Sequence, residues 1–161
     1  MALADSLEQG QFMTFEVAEE QFGIDVMRVQ ELIRYQKPSR IPNAPDVVSG
    51  VINFRGHIIP VIDMRRKFNF EPGKYDEYSV IIVLEVEDKI MGLLVDRVLD
   101  IVPIVKEDVQ GTLDFQREFD TEYLCGVGKV GEQLVFLVDP DKLLSQREMS
   151  DLEEVHGEAY S

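Results

Sequence analysis

With 161 residues, 45% of them hydrophobic and 29% charged, the chain is long enough to bury one compact core and has no compositional bias toward disorder. Its 31 acidic residues against 16 basic ones leave a formal charge of -15, a surface that repels a phosphate backbone and argues against nucleic acid as a partner. The single cysteine, Cys125, forbids an internal disulfide and fits a reducing cytoplasm, and no apolar run approaches the ~20 residues that cross a bilayer.

In chain order, residues 1–10 carry Asp5 and Glu8 with no basic residue and no apolar stretch, so they predict a frayed tail rather than a signal peptide. Phe12–Val17 and Phe22–Asp25 flank the polar turn Ala18–Gln21 as a hairpin, and Val29–Ile33 follows as a third strand. A short helical turn is expected at Pro45–Ser49. Gly50–Phe54 and Ile58–Ile62 form the clearest hairpin, around Arg55-Gly56-His57, where Gly56 can take the positive φ of a tight turn. Pro60 cannot donate to a ladder, which predicts an edge strand or a bulge for that arm. A second helical turn is placed at Met64–Phe68.

Val80–Val86 and Ile90–Val95 enclose Glu87-Asp88-Lys89 as another hairpin, and Val98–Val105, interrupted by Pro103, is the strand after it. Lys106–Tyr123 lacks periodicity and reads as a long crossing loop. Gly126–Val130 and Leu134–Val138 pair around Gly131-Glu132-Gln133. Asp139-Pro140 then starts the best helix, with a capping carboxylate, a proline that needs no donor, and the stripe Leu143, Leu144, Met149, Leu152.

The chain repeats itself. Phe15-Glu16-Val17, Gly23-Ile24 and Val29 recur 69 residues later as Leu84-Glu85-Val86, Gly92-Leu93 and Val98. Gly50-Val51 precedes Asp63 by 13 residues, as Gly126-Val127 precedes Asp139. Two roughly five-stranded β units, each too small to bury a good core alone, would pack side by side as paired small barrels. The fold class expected is therefore mainly β: two five-stranded barrel subdomains around a shared core, few short helices and a C-terminal helix. The boundaries are a tail at 1–10, a domain at 11–147 with repeats at roughly 15–78 and 79–147, and an acidic helix end and tail at 148–161. The seam between the barrels is either an aliphatic groove that accepts a partner helix or simply filled core.

Charge is segregated as well. Residues 28–67 hold eight bases and three acids, for +5, leaving -20 on the rest; this is either scattered solvation or a surface for an acidic partner.

Reactive chemistry is sparse. His57 is a turn residue, His156 lies in the tail, and Cys125 has no flanking base, so neither a metal site nor a nucleophile is expected. Asp63, Asp96 and Asp139 each end a strand and are read as caps rather than as catalytic carboxylates. Gly126-Val-Gly128 lacks the Lys-Ser/Thr of a phosphate loop. The Asn53-Phe54-Arg55-Gly56 corner is different: the planar fork of Arg55 can hold a carboxylate bidentately, either Glu31 within the chain or an acid on a partner, and Asn53 shares the strand face. Phe115, in the polar loop, is an exposed anchor or a plug on a barrel.

Gly50-Val-Ile-Asn-Phe-Arg-Gly-His-Ile-Ile-Pro-Val-Ile-Asp63 resembles the signature hairpin of the CheW coupling proteins of bacterial chemotaxis. Phe22–Asp25, Val29-Gln-Glu31, Arg40-Ile-Pro42, Gly92–Asp96, Thr121–Leu124 with Gly126, and Leu137–Leu144 follow in the family's order, covering roughly Gln11–Leu144. Phe54 stands where the family usually has Leu. The resemblance implies a non-catalytic adaptor without cofactor or metal. Its partners would be the cytoplasmic tips of methyl-accepting chemoreceptors and the regulatory domain of the histidine kinase CheA, and it would be cytoplasmic, reaching receptor arrays through them without inserting into the membrane. Val29, Glu31, Gly50, Asn53, Arg55 and Gly56 match positions linked with receptor coupling; Ile58 and Phe115 are assigned to the kinase. An adaptor of a parallel, non-motility receptor–kinase pathway is the alternative, and a small β-barrel enzyme or oligonucleotide binder is the other class.

Overall fold

The computed structural model describes residues 10–110 and 123–152. Eleven strands occur there: β1 (Gln11–Val17), β2 (Glu20–Asp25), β3 (Val29–Arg34), β4 (Val48–Phe54), β5 (His57–Asp63), β6 (Val80–Val86), β7 (Lys89–Val95), β8 (Arg97–Pro103), β9 (Val109–Gln110), β10 (Leu124–Val130) and β11 (Gln133–Val138). Helix is confined to short pieces: 3-10 turns at Val26–Arg28, Lys106–Asp108 and Pro140–Lys142, helix α1 (Met64–Lys67), and helix α2 over 146–152.

All four hairpins close with loops of two residues, shorter than the sequence pattern suggests. Non-glycine residues accept positive φ to make this possible: Ala18 and Glu19, Arg55 beside Gly56, and Glu87 and Asp88. Two residues at positive φ match the right-handed twist of the flanking strands, and that gain offsets the local steric cost. Pro45–Ser49 is a turn running into β4 rather than a helical turn, because Val48 already pairs with Ile62.

The strands form two sheets, one ordered β3-β6-β7-β5-β4 and the other β8-β1-β2-β11-β10-β9. Sequence repeats and spatial units are not the same thing here. Each sheet takes its central hairpin from one repeat and its flanking strands from the other: β6–β7 lies between β3 and β5–β4, and β1–β2 lies between β8 and β11–β10. The registers repeat too. Val29 opposes Leu84 as Val98 opposes Phe15, and the parallel pair Val61–Gly92 is matched by Leu137–Gly23. Gly92 and Gly23 sit where strands approach closely: an added Cβ would lie 2.5 Å from Ile81 Cγ2 at the first and 3.1 Å from Val135 Cγ1 at the second.

The sheets are curled rather than closed barrels. Beyond β3 the chain crosses to the opposite edge, where Ser39 makes an isolated bridge to Val51; beyond β8 it does the same, where β9 pairs Gln110 with Val127. Strand β5 is internal rather than an edge, its ladder with β4 shifts register between Val48 and Gly50, opposite Ile62 and Val61, and β7 pairs only with Val61–Asp63. Pro60 thus falls where β5 has a neighbour on one side alone and its missing donor costs nothing.

Three cores follow from this arrangement. Ile52, Phe54, Ile59, Val61, Ile81, Val83 and Leu94 fill one sheet's concavity, and Phe12, Ile104, Val135 and Leu137 fill the other's. The largest lies between the sheets and includes Phe15, Phe22, Ile62, Met64, Leu84, Leu93 and Leu143. The seam is therefore filled core rather than an aliphatic groove. Helix α1 delivers Phe68 onto Phe22 with ring centroids 4.2 Å apart, and α2 adds Met149 and Leu152 to the same core. Asp139 caps the 3-10 turn through Asp141 N at 3.0 Å, but the expected single helix stops there. It restarts at Ser145, which exchanges hydrogen bonds with Glu148 as a capping box: Glu148 N donates to Ser145 Oγ and Ser145 N donates to Glu148 Oε1.

Candidate protein-docking site

Strand β3 and the β4–β5 turn meet at one end of the first sheet. The turn residues Arg55 and Gly56 have φ of 51° and 82°, and Gly56 N donates to Asn53 Oδ1 at 3.0 Å, so Asn53 fixes the turn as much as it presents itself to solvent. Arg55 then reaches across the open side of the curled sheet and its guanidinium donates to the Glu31 carboxylate on β3. The same guanidinium lies over the buried Phe54 ring, 5.4 Å from its centre. Of the two readings of Arg55, the internal pair with Glu31 is present in the structure. Its side chain is nevertheless 70% exposed, so the pair is an accessible surface feature.

Glu31, Asn53, Arg55 and Gly56 are thus brought together, with Ile58 beside them, opposite Asn53 in the ladder and 42% exposed. Two of the grouped residues stand apart. Val29 is half-buried against the intersheet core. Gly50 is buried near the far end of β4, with φ +153°. A Cβ there would lie 2.2 Å from the Ser39 carbonyl oxygen, so glycine is required for the Ser39–Val51 bridge that spans the sheet's open side. Phe115 lies outside the described residues.

Residue-type reasoning missed the polar links between the repeats. Arg65 forms a bidentate pair with Asp96, Nε to Oδ1 at 3.0 Å and Nη2 to Oδ2 at 2.8 Å, while Asp96 Oδ2 also accepts from Ala18 N at 2.7 Å. Asp96 is therefore a link between repeats, not the cap its position suggested. Asp63 is a cap, accepting from Arg65 N and Arg66 N, and takes the Tyr75 hydroxyl at 2.5 Å as well. Burial, reinforced by the Asp63 bond, raises the Tyr75 pKa. At the other parallel junction Arg28 forms a bidentate pair with Asp141, at 3.0 and 2.7 Å. That hydrogen bond outweighs burial and lowers the Asp141 pKa.

A signal for these links was present: Arg65 follows Asp63 by two residues as Asp141 follows Asp139. Equivalent positions carry opposite charges, so only the partners identify them as counterparts. Cys125 is half-buried with its thiol donating to Leu137 O at 3.3 Å, and burial pushes its pKa up to about 12. His57 is exposed at the end of its hairpin.

These features define a class: a duplicated two-sheet β scaffold whose repeats interlock and which presents an exposed corner held by a charge pair. The chain belongs to the CheW-like domain family, whose model matches residues 11–148. It is 41% identical over 145 residues to the chemotaxis protein CheW of Klebsiella aerogenes, covering 90% of this chain and 87% of that one. To the chemotaxis protein CheW of Treponema pallidum it is 35% identical over 156 residues, covering 94% and 91%. Its fold matches the crystal structure of the scaffolding protein TtCheW from Thermoanaerobacter tengcongensis with a TM-score of 0.79 and 28% identity, over 86% of this chain and 94% of that one.

Proposed function

We propose that this chain is a chemotaxis coupling adaptor that links the cytoplasmic tips of methyl-accepting chemoreceptors to the regulatory domain of the histidine kinase CheA. The observation that carries the reading is the likeness to proteins named CheW along nine-tenths of the chain, in sequence and in fold. Those names favour taxis over a parallel, non-motility pathway. Receptor contact is assigned to Val29, Glu31, Gly50, Asn53, Arg55 and Gly56, and kinase contact to Ile58 and Phe115. Within the receptor set, Asn53, Arg55 and Gly56 present side chain and backbone at the corner, Glu31 orients Arg55, and Gly50 acts through the backbone it allows. Among the described residues no helix is long and apolar enough to cross a membrane, and the adaptor reaches the array through its partners.

Coupling then works by differential binding: the adaptor favours whichever kinase geometry fits the receptor tip's current shape, and no bond is made or broken. Arg55→Ala tests it by co-sedimentation with receptor-bearing membranes and the kinase. The pair is exposed, so its loss costs the fold less than about 1 kcal/mol, while assembly is expected to fall well below that of the parent chain. A variant that folds and assembles like the parent would overturn the assignment of the corner.

A further inference from the structure

The five ion pairs of the described residues all draw their cation from the basic segment 28–67: Arg28, Arg55, Arg65, Arg66 and Lys67 bind Asp141, Glu31, Asp96, Asp63 and Glu148. Most of the local excess of positive charge is thus neutralised inside the fold. Three bases of the segment remain, Arg34, Lys37 and Arg40, and all are exposed. They follow one another at intervals of three residues, from the end of β3 through the loop beyond it to the residue after the Ser39 bridge.

Beside the last of them is a depression of about 410 Å³ bordered by Arg40 and Arg66, with Ile41, Pro42 and Pro45 as apolar wall and Asp46 as its one carboxylate. The Arg66 guanidinium is oriented there by the Asp46 carbonyl, to which it donates at 3.1 Å, and its side chain stays 47% exposed.

We propose that this ridge and depression dock an acidic segment of a partner polypeptide. Six residues of backbone separate Arg34 from Arg40 and span at most about 20 Å, the length of about 13 residues of α-helix. Carboxylates of such a segment can meet the exposed Arg34, Lys37 and Arg40, and its aliphatic side chains can rest on Ile41 and the prolines. A compact polyanion is disfavoured, because Asp46 sets a negative charge within the depression itself. The remainder of the chain carries -20, which repels an acidic segment elsewhere and steers it to this ridge. The inference stands apart from the coupling role, since it rests on unpaired charge and shape and not on who the partners are.

The test uses the full chain and a fluorescein-labelled helical peptide of that length with a glutamate every three or four positions, read by fluorescence anisotropy. The same peptide with glutamine at those positions is the neutral probe. The glutamate peptide is expected to bind, to weaken with added salt, and to lose about tenfold in affinity when Lys37→Glu and Arg40→Glu are combined. Lys129→Glu with Arg147→Glu makes the same charge change away from the ridge and is expected to alter affinity by less than about twofold. Should the first pair impair folding, Lys37→Gln with Arg40→Gln replaces it, with a loss in the same direction. Equal binding of the neutral peptide, an equal loss in the distant variant, or tripolyphosphate binding as tightly as the glutamate peptide would each overturn the proposal.

Discussion

Gly50→Ala separates a structural glycine from a contact residue, and its cost can be worked from the geometry. The added Cβ would lie 2.2 Å from the Ser39 carbonyl oxygen, 2.7 Å from its carbon and 3.0 Å from Pro38 Cβ. The first two are backbone atoms and cannot rotate away. Relief requires moving the Ser39 backbone, which breaks the two 2.8 Å hydrogen bonds between Ser39 and Val51. Two such bonds are worth about 1 kcal/mol each, and a φ of +153° on a residue with a side chain adds about 1–3 kcal/mol. A loss of about 3 kcal/mol is expected, or about 6–12 °C in Tm for a chain of this size. Urea unfolding followed by far-UV circular dichroism reads it as a lower midpoint with an unchanged m-value. Gly56→Ala is the internal comparison: it also has positive φ, at 82°, but nothing lies within 4 Å of its Cβ, so only about 1 kcal/mol should be lost. If Gly50→Ala costs less than about 0.5 kcal/mol, or no more than Gly56→Ala, the close approach to Ser39 is not what demands glycine.

Asp96→Ala leaves the mostly buried Arg65 guanidinium and the Ala18 amide without their acceptor and is expected to cost about 2–3 kcal/mol, with Asp96→Asn costing less, by the same unfolding assay. The Asp141 pKa is lower in the folded chain than in the unfolded one, so the Arg28 pair's stabilisation is present above the ordinary carboxylate range and is lost as pH falls through the depressed value. Acid unfolding of Asp141→Asn should therefore show a shallower loss below about pH 4, by less than about 1 kcal/mol for so exposed a pair. With its pKa pushed up to about 12, the Cys125 thiol should react with iodoacetamide at pH 8 at least about a hundredfold more slowly in the native chain than in urea. Because each sheet needs strands from both repeats, fragments 1–78 and 79–161 should each be unfolded alone and regain β-sheet circular dichroism when mixed; a fragment that folds alone would contradict the exchange.

The strands and their pairing into hairpins were legible because β-branched runs and turn residues are local signals. So was the duplication, through spacing. The exchange of hairpins between repeats was not, because the alternation along Val80–Val86 is the same whether that strand lies beside β3 or beside β8. Only tertiary packing decides. Here the short turn Val26–Arg28 keeps β3 close to β2 without pairing to it, and β6 pairs with β3 instead. The break in the C-terminal helix had a local signal, Ser145-Gln-Arg-Glu148, overshadowed by the stronger start at Asp139-Pro140. At the candidate site, the chemistry of Arg55 with Glu31 was legible from residue type. What was not legible is that Gly50 and Asn53 serve the backbone, since a φ value and a turn bond leave no trace in composition.

The exchange bears on how such a scaffold can transmit a signal. Arg65–Asp96 and Arg28–Asp141 each fasten the turn after one repeat's last strand to the bend after the other repeat's central hairpin, so both parallel junctions are clamped at their ends. Between the clamps the intersheet core is close-packed and includes side chains from both central hairpins. A body held in this way has little freedom for one sheet to move against the other, because displacement would expose that core and break the Arg65–Asp96 pair. Signal transmission by internal rearrangement is thereby disfavoured, and transmission by docking as a rigid piece is favoured. The corner at Arg55 and the ridge at Arg34–Arg40 fit that role: one is the turn after β4 and the other the end of β3 with the loop beyond it, both exposed, where a partner can bind without disturbing the interior.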